Sequence, residues 1–167
     1  MYKSLKEVFG KKKSYEEIFA PVSGKCVPMG QVNDPTFSQE ILGKGVAIIP
    51  SEGKVSAPGD GEILMVFETR HAVSIRLTGG AELIIHIGLD TVNLHGEYFT
   101  SHVKAGDKVK KGDLLIEFDM DKIKEQGYDL ITPIIVCNTP DYPELICHTG
   151  ADVKLSLIHI SEPTRQA

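Results

Sequence analysis

Two strand-forming arms, residues 67–77 and 81–92, flank the turn Thr78-Gly79-Gly80, and this hairpin constrains the chain more than any other stretch. The glycines supply the positive φ that a tight turn needs, so the arms pair antiparallel. Folding about the turn puts Ala72 or Val73 opposite His86. His71 then becomes a diagonal cross-strand neighbour of His86, at roughly 7–8 Å or less between Cα atoms. Two imidazoles at that spacing can share a phosphoryl group or a metal ion.

Beyond the hairpin, short apolar runs alternate with Gly, Pro, Asp and Asn, and sustained helical periodicity is almost absent. That is an all-β pattern. The expected strands are residues 24–28, 45–50, 54–56, 61–67, 72–77, 81–87, 99–102, 114–119 and 132–136, with one short helix over 120–127 closed by Gly127. Ala20-Pro21-Val22-Ser23-Gly24-Lys25 is echoed by Ala57-Pro58-Gly59-Asp60-Gly61-Glu62, a weak internal repeat. Many short strands with few helices imply an antiparallel β-sandwich or flattened barrel.

The 167 residues fit one domain, and 41% apolar content supports an ordinary core. No apolar run is long enough to cross a bilayer and no signal peptide opens the chain, so the expected location is cytoplasmic. The net charge of -5, without a basic stripe interleaved with aromatics, argues against nucleic acid. Cys26, Cys137 and Cys147 are widely spaced, which disfavours a disulfide framework or zinc knuckle. Residues 1–17 form a basic arm: Lys3, Lys6, Lys11, Lys12 and Lys13 face only Glu7 among the first thirteen residues. Tyr2, Leu5, Val8 and Phe9 recur at helical spacing, which leaves open an amphipathic helix at an anionic membrane surface or a solvated, disordered tail.

The words F-E-T-x-H-A (residues 67–72) and H-I-G-L-D-T-V-x-L-x-G-E-x-F (86–99), with residues 18–24, 43–50, 57–61 and 109–119, resemble the glucose-type enzyme IIA domain of the bacterial phosphoenolpyruvate-dependent sugar phosphotransferase system. The resemblance runs in order from about residue 18 to about residue 150, within a domain set at 18–154. It implies a duplicated-hybrid fold with lipoyl-like halves, an expectation that the paired Gly-Asp turns at Gly106-Asp107 and Gly112-Asp113 suit. It also implies a phosphocarrier that takes a phosphoryl group from the phosphocarrier protein HPr. The group then passes to a cysteine of a sugar-specific IIB domain in a IIB/IIC permease chain, and regulatory partners are a further expectation.

By that resemblance His86 is the phosphorylated nucleophile, His71 donates a hydrogen bond to the phosphoryl oxygens, and Thr69 orients His71. From the residues alone His86 would pass for a core histidine, were it not for Gly88, Asp90 and the neighbouring His71. Asp90, Asp34 and Gly88 are expected to rim the site, with Glu68 and Arg70 as solvated edge charges. Phe37, Ile41, Phe67, Ile84 and Val92 match apolar positions around the family's site; exposed, they would form a ring for transient partners. His95, His102 and His148 read as ordinary loop residues. No cofactor is required, although zinc bridging His71 and His86 is an expectation, since two histidines supply half of a tetrahedral shell.

A lysostaphin-like zinc metallopeptidase is the alternative, because His86-Ile87-Gly88-Leu89-Asp90 satisfies the H-x-G-x-D word of those enzymes. They also need a later H-x-H strand, which the chain lacks. A biotinyl or lipoyl carrier would need a lysine in M-K-M or D-K-A, and neither occurs. Finally, residues 155–165, L-S-L-I-H-I-S-E-P-T-R, are the translation of a transposase sequencing adapter, so 155–167 reads as an artefact standing where the family has a last G-D-x-L-I-x-I strand. Its alternation nevertheless gives Leu155 to Ile160 strand character.

Overall fold

A computed structural model describes residues 15–141 and the strand segments 145–147, 152–153 and 156–161. Most of the amino-terminal arm, His148 and residues 162–167 lie outside the described residues. The strands are β1 (Tyr15–Phe19), β2 (Gly24–Pro28), β3 (Lys44–Pro50), β4 (Lys54–Ser56), β5 (Gly61–Val66), β6 (Ala72–Leu77), β7 (Glu82–His86), β8 (Phe99–Ser101), β9 (Lys108–Val109), β10 (Leu114–Phe118), β11 (Thr132–Val136), β12 (Leu145–Cys147), β13 (Asp152–Val153) and β14 (Ser156–Ser161). The first strand opens at Tyr15, inside the stretch assigned to the arm.

Eight strands form one antiparallel sheet in the order β13-β2-β3-β11-β7-β6-β5-β9. Two three-stranded sheets, β4-β10-β8 and β1-β14-β12, complete the sandwich. In the latter, β14 lies between β1 and β12, pairing Ile18 with Ile158 and Leu145 with Ile160. The repeat seen in the sequence is visible in the hydrogen bonds. The Phe19 amide donates to Pro58 O at 2.9 Å and the Ser56 amide to Pro21 O at 2.8 Å, an exchange between equivalent positions of the two repeats.

The strands expected from alternation form within one residue at each end. Residue 67 drops out of β5 because its carbonyl accepts the Arg70 amide at 2.7 Å, closing a turn. The expected helix is α2 (Met120–Glu125), capped by the Asp119 carboxylate on the Lys122 amide. A further one-turn helix, α1 (Pro35–Ser38), was not expected. Asp34 caps it and Pro35 starts it, a local signature of a helix start. Four residues cannot hold a helix by themselves; burial of Phe37 holds it in place.

The pleat decides which face carries the site. Val73, Ile75, Leu83, Ile85, Val46, Ile48, Ile134 and Val136 point into the main core between the sheets. Each such fully buried side chain contributes about 1.5–3 kcal/mol. Ala47 and Ile135 point the other way and meet Val27, Met29, Val32, Phe37, Leu89 and Ile131 in a second cluster. Central strands β3 and β11 are therefore buried on both faces, while β7 alternates. His86 and Ile84 lie on that outer face of β7, beside the second cluster, where the cover ends.

Candidate functional site

The hairpin of β6 and β7 pairs Ala72 with His86, one of the two registers open from the sequence. His71, just before β6, brings its ring to His86 edge to face, with centroids 4.8 Å apart and planes at 82°. Its carbonyl accepts the Ile87 amide at 2.7 Å, tying the turn that carries it to the strand of the other histidine. Phe37 lies 5.0 Å from the His86 ring and Phe67 5.4 Å from the His71 ring, so an apolar ring backs each imidazole.

Each imidazole has one nitrogen engaged. His86 Nδ1 sits 2.8 Å from Gly88 O, and a carbonyl only accepts, so the proton is on Nδ1 and the lone pair on Nε2. This depends on the backbone: Gly88 has φ +76, and a Cβ there would lie 2.7 Å from Thr91 Cγ2 and 2.8 Å from Asp129 O. Only glycine turns its carbonyl back onto the imidazole in that space. His71 Nδ1 lies 2.6 Å from Thr69 Oγ1. Where the hydroxyl donates to Nδ1, the His71 proton sits on Nε2, and the pair then offers a nucleophilic nitrogen on one ring and a donor on the other.

Burial holds both rings neutral. His71 is only 4% exposed, and burial followed by the charge of a protonated His86 lowers its pKa from 6.5 to about 4. Burial is also the largest influence on His86 and lowers its pKa. The Gly88 carbonyl and the fields of Asp34 and Asp90 oppose that shift without cancelling it. A neutral imidazole is the form that can attack phosphorus.

Asp34 and Asp90 therefore both act on His86 through their fields. Asp34 also has a local task, accepting the Thr36 amide at 3.0 Å to cap α1. Asp90 is exposed, with φ 59, and opens the turn of 3-10 helix at Thr91–Leu94. Ile41 and Val92 are exposed, while Phe67 and Ile84 are half-buried. Phe37 departs from the expected exposed ring: at 6% exposure it packs in the second cluster and offers its face to His86, because α1 folds it inward. Arg70 is exposed, as expected of an edge charge, yet it is also tied into the fold. Its guanidinium donates to Gly96 O and Phe99 O, and no local pattern signals a partner so far along the chain. His95 is exposed, and His102 pairs with Glu117 at 2.7 Å on the surface.

The H-x-G-x-D word does not assemble into a peptidase centre. Among the described residues no group of three or more His, Cys, Asp or Glu is placed to hold a metal. No helix among them is long and apolar enough to cross a membrane.

Residues 16–142 match the family model of the phosphoenolpyruvate-dependent sugar phosphotransferase system, EIIA 1. The glucose-specific EIIA component of Oceanobacillus iheyensis is 46% identical over 145 residues, covering 87% of this chain and 88% of that protein. The β-glucoside-specific EIIBCA component of Dickeya chrysanthemi is 49% identical over 127 residues, 76% of this chain; the chain spans about a fifth of that relative's length. Glucose permease IIA from Mycoplasma capricolum superimposes with a TM-score of 0.81 at 32% identity, over 87% of this chain and 96% of that one.

Proposed function

Because this chain belongs to the EIIA 1 family of the phosphoenolpyruvate-dependent sugar phosphotransferase system, a family of phosphocarriers, we propose that His86 is the residue that carries the phosphoryl group. One observation carries this assignment. Gly88 O holds the Nδ1 proton of His86, so Nε2 presents a lone pair beside the Nε2–H of His71. The donor is phospho-HPr in the cytoplasm. The Nε2 lone pair attacks phosphorus, the bond to the donor's ring nitrogen breaks, and its electron pair returns to that ring. No proton need move.

Phosphorylated at Nε2 and still protonated at Nδ1, the His86 ring is cationic. The Gly88 carbonyl and the two aspartates favour that charge, and His71 donates to the phosphoryl oxygens. In-line phosphoryl transfer has little bond order to either nitrogen at its transition state, so positioning and charge stabilisation carry the rate. Thr69 acts through His71 as a positioning residue. The second transfer repeats the step with a cysteine thiolate of a IIB domain as nucleophile. The Dickeya relative is itself an EIIBCA component, which supports a IIB/IIC acceptor for this chain. Ile41, Val92, Ile84 and Phe67 supply the apolar docking area.

Incubation with phosphoenolpyruvate, enzyme I and HPr, followed by mass mapping and phosphorus NMR, tests this reading. The expected product is phosphate on Nε2 of His86, and His86→Gln should accept none. Acceptance by that variant at the wild-type rate overturns it. Zinc is a second ligand of the same pair. Each Nδ1 is engaged, so the metal would take the two Nε2 atoms, with the Thr69–His71 hydrogen bond reversed so that His71 Nδ1 donates and its Nε2 lone pair is free, and a partner's carboxylate would add a further ligand. Zinc affinity by calorimetry should be lost in the His71→Gln, His86→Gln double variant, and affinity unchanged there removes the idea.

A further inference from the structure

Arg70 occupies a left-handed conformation, φ 56, at the last step before His71. An unbranched polar side chain adopts that conformation only at a cost, and such strain persists where surrounding contacts over-determine it. Here the contacts come from the other sheet. Arg70 Nε donates to Phe99 O at 3.2 Å and Nη2 to Gly96 O at 3.1 Å. Phe99 is 4% exposed and opens β8, which pairs with β10 in the sheet opposite the site hairpin. The anchor is shaped to receive a guanidinium. Gly96 has φ +89, and a Cβ there would lie 2.7 Å from Arg70 Nη2. His95 and Tyr98 on either side are also left-handed, with φ 55 and 76. The anchor is itself fastened, since Asp119 donates its amide to Tyr98 O at 3.0 Å.

The backbone bonds of the turn stay within the site hairpin: the Arg70 amide to Phe67 O, the Phe67 amide to Ala72 O, and the Ile87 amide to His71 O. The arginine fork thus links the turn carrying Thr69 and His71 to the segment downstream of His86, Gly88 and Asp90. We propose that Arg70 is a positioning residue for phosphoryl transfer: it clasps turn 69–71 onto segment 96–99 and holds His71 at the separation from His86 that a bound phosphoryl group needs. This rests on the reading of His86 as the phosphorylated residue. A lysine cannot replace it, because the two carbonyls are bound by two different nitrogens of one planar fork, Nε and Nη2.

Two variants test the clasp. Arg70→Met keeps an apolar stem without donors. Arg70→Asn suits the left-handed backbone but is too short to reach the anchor, so it preserves the fold if the methionine variant does not. Nitrogen NMR of the imidazoles reads the His71 tautomer directly, alongside the rates of phosphate uptake from phospho-HPr and of hand-on to a IIB domain. The wild type should show the single Nε2–H form of His71. Both variants should show exchange between tautomers, a His71 pKa rising from about 4 toward 6.5, and transfer slowed about tenfold or more, as when supporting contacts of active groups are lost. Arg70→Asn should do so with its melting temperature nearly unchanged. Wild-type tautomer and rates within about twofold in Arg70→Asn overturn the proposal, as does a rate loss that merely follows the melting temperature. The NMR arm needs no phosphoryl donor. Should the wild-type protein take no phosphate at all, the assignment of His86 falls while the tautomer still decides whether Arg70 holds His71.

Discussion

Burying a neutral histidine makes stability depend on pH, and His71 is the group to test. Its pKa is 6.5 in an unfolded chain and about 4 here, where 4% of the residue is exposed. Between those values the unfolded chain binds a proton that the folded protein does not, so stability rises with pH. The contribution is fully present above pH 6.5 and is lost as pH falls toward 4. Integrated over that window it amounts to about 2 kcal/mol lost at pH 5 and about 3 kcal/mol at pH 4. For a chain of this size about 2 kcal/mol corresponds to about 4–8 °C in melting temperature. Urea unfolding of the wild type and of His71→Gln at pH 8, 6, 5 and 4.5 isolates the effect. Carboxylates and His86 titrate in both proteins and cancel to first order. The stability advantage of the wild type should shrink by about 2 kcal/mol between pH 8 and 5. A difference that stays flat across that range refutes the argument that His71 is buried neutral.

Thr69→Val removes the hydroxyl on His71 Nδ1 without changing shape, leaving a buried ring nitrogen unsatisfied; equilibrium unfolding should show a loss of about 1–3 kcal/mol, and phosphate hand-on should slow. Gly88→Ala forces a methyl against Thr91 and the Asp129 carbonyl at φ +76 and displaces the acceptor of the His86 proton. It should cost about 2–5 kcal/mol and release the His86 tautomer in imidazole NMR. Deleting residues 155–167 removes β14 and with it the pairing of β1 and β12; the melting temperature should fall while uptake of phosphate by His86 is unchanged. A G-D-x-L-I-x-I ending in place of residues 155–167 should raise the melting temperature, which scanning calorimetry measures.

What the amino-acid sequence determined by itself is what local physics controls. Alternation and glycine punctuation place the strands because pleat and turn conformation are set by neighbours a few residues away, as in Ala72–Leu77 and Thr132–Val136. The hairpin about Thr78-Gly79-Gly80 brings His71 near His86 for the same reason: counting residues around one turn puts Ala72 or Val73 opposite His86, and the structure takes the pairing with Ala72. The Asp34-Pro35 pair is a local start signal for α1 that the expected elements did not include, and the effect of Asp34 on His86 has no local signal at all.

Tertiary structure alone decided the rest, because those contacts join residues with no sequence relation. Phe37 matches an apolar position of a docking ring, but only the fold of α1 against β3 and β11 shows that it faces inward. Arg70 resembles any charged turn residue until the opposite sheet brings the carbonyls of Gly96 and Phe99 within reach. Which nitrogen of His86 is free depends on where the Gly88 carbonyl points, and Thr91 and the Asp129 backbone, packed around that glycine, fix it. Strand positions follow from residue type and spacing. The protonation and orientation of a buried imidazole follow from the distant groups that pack around it.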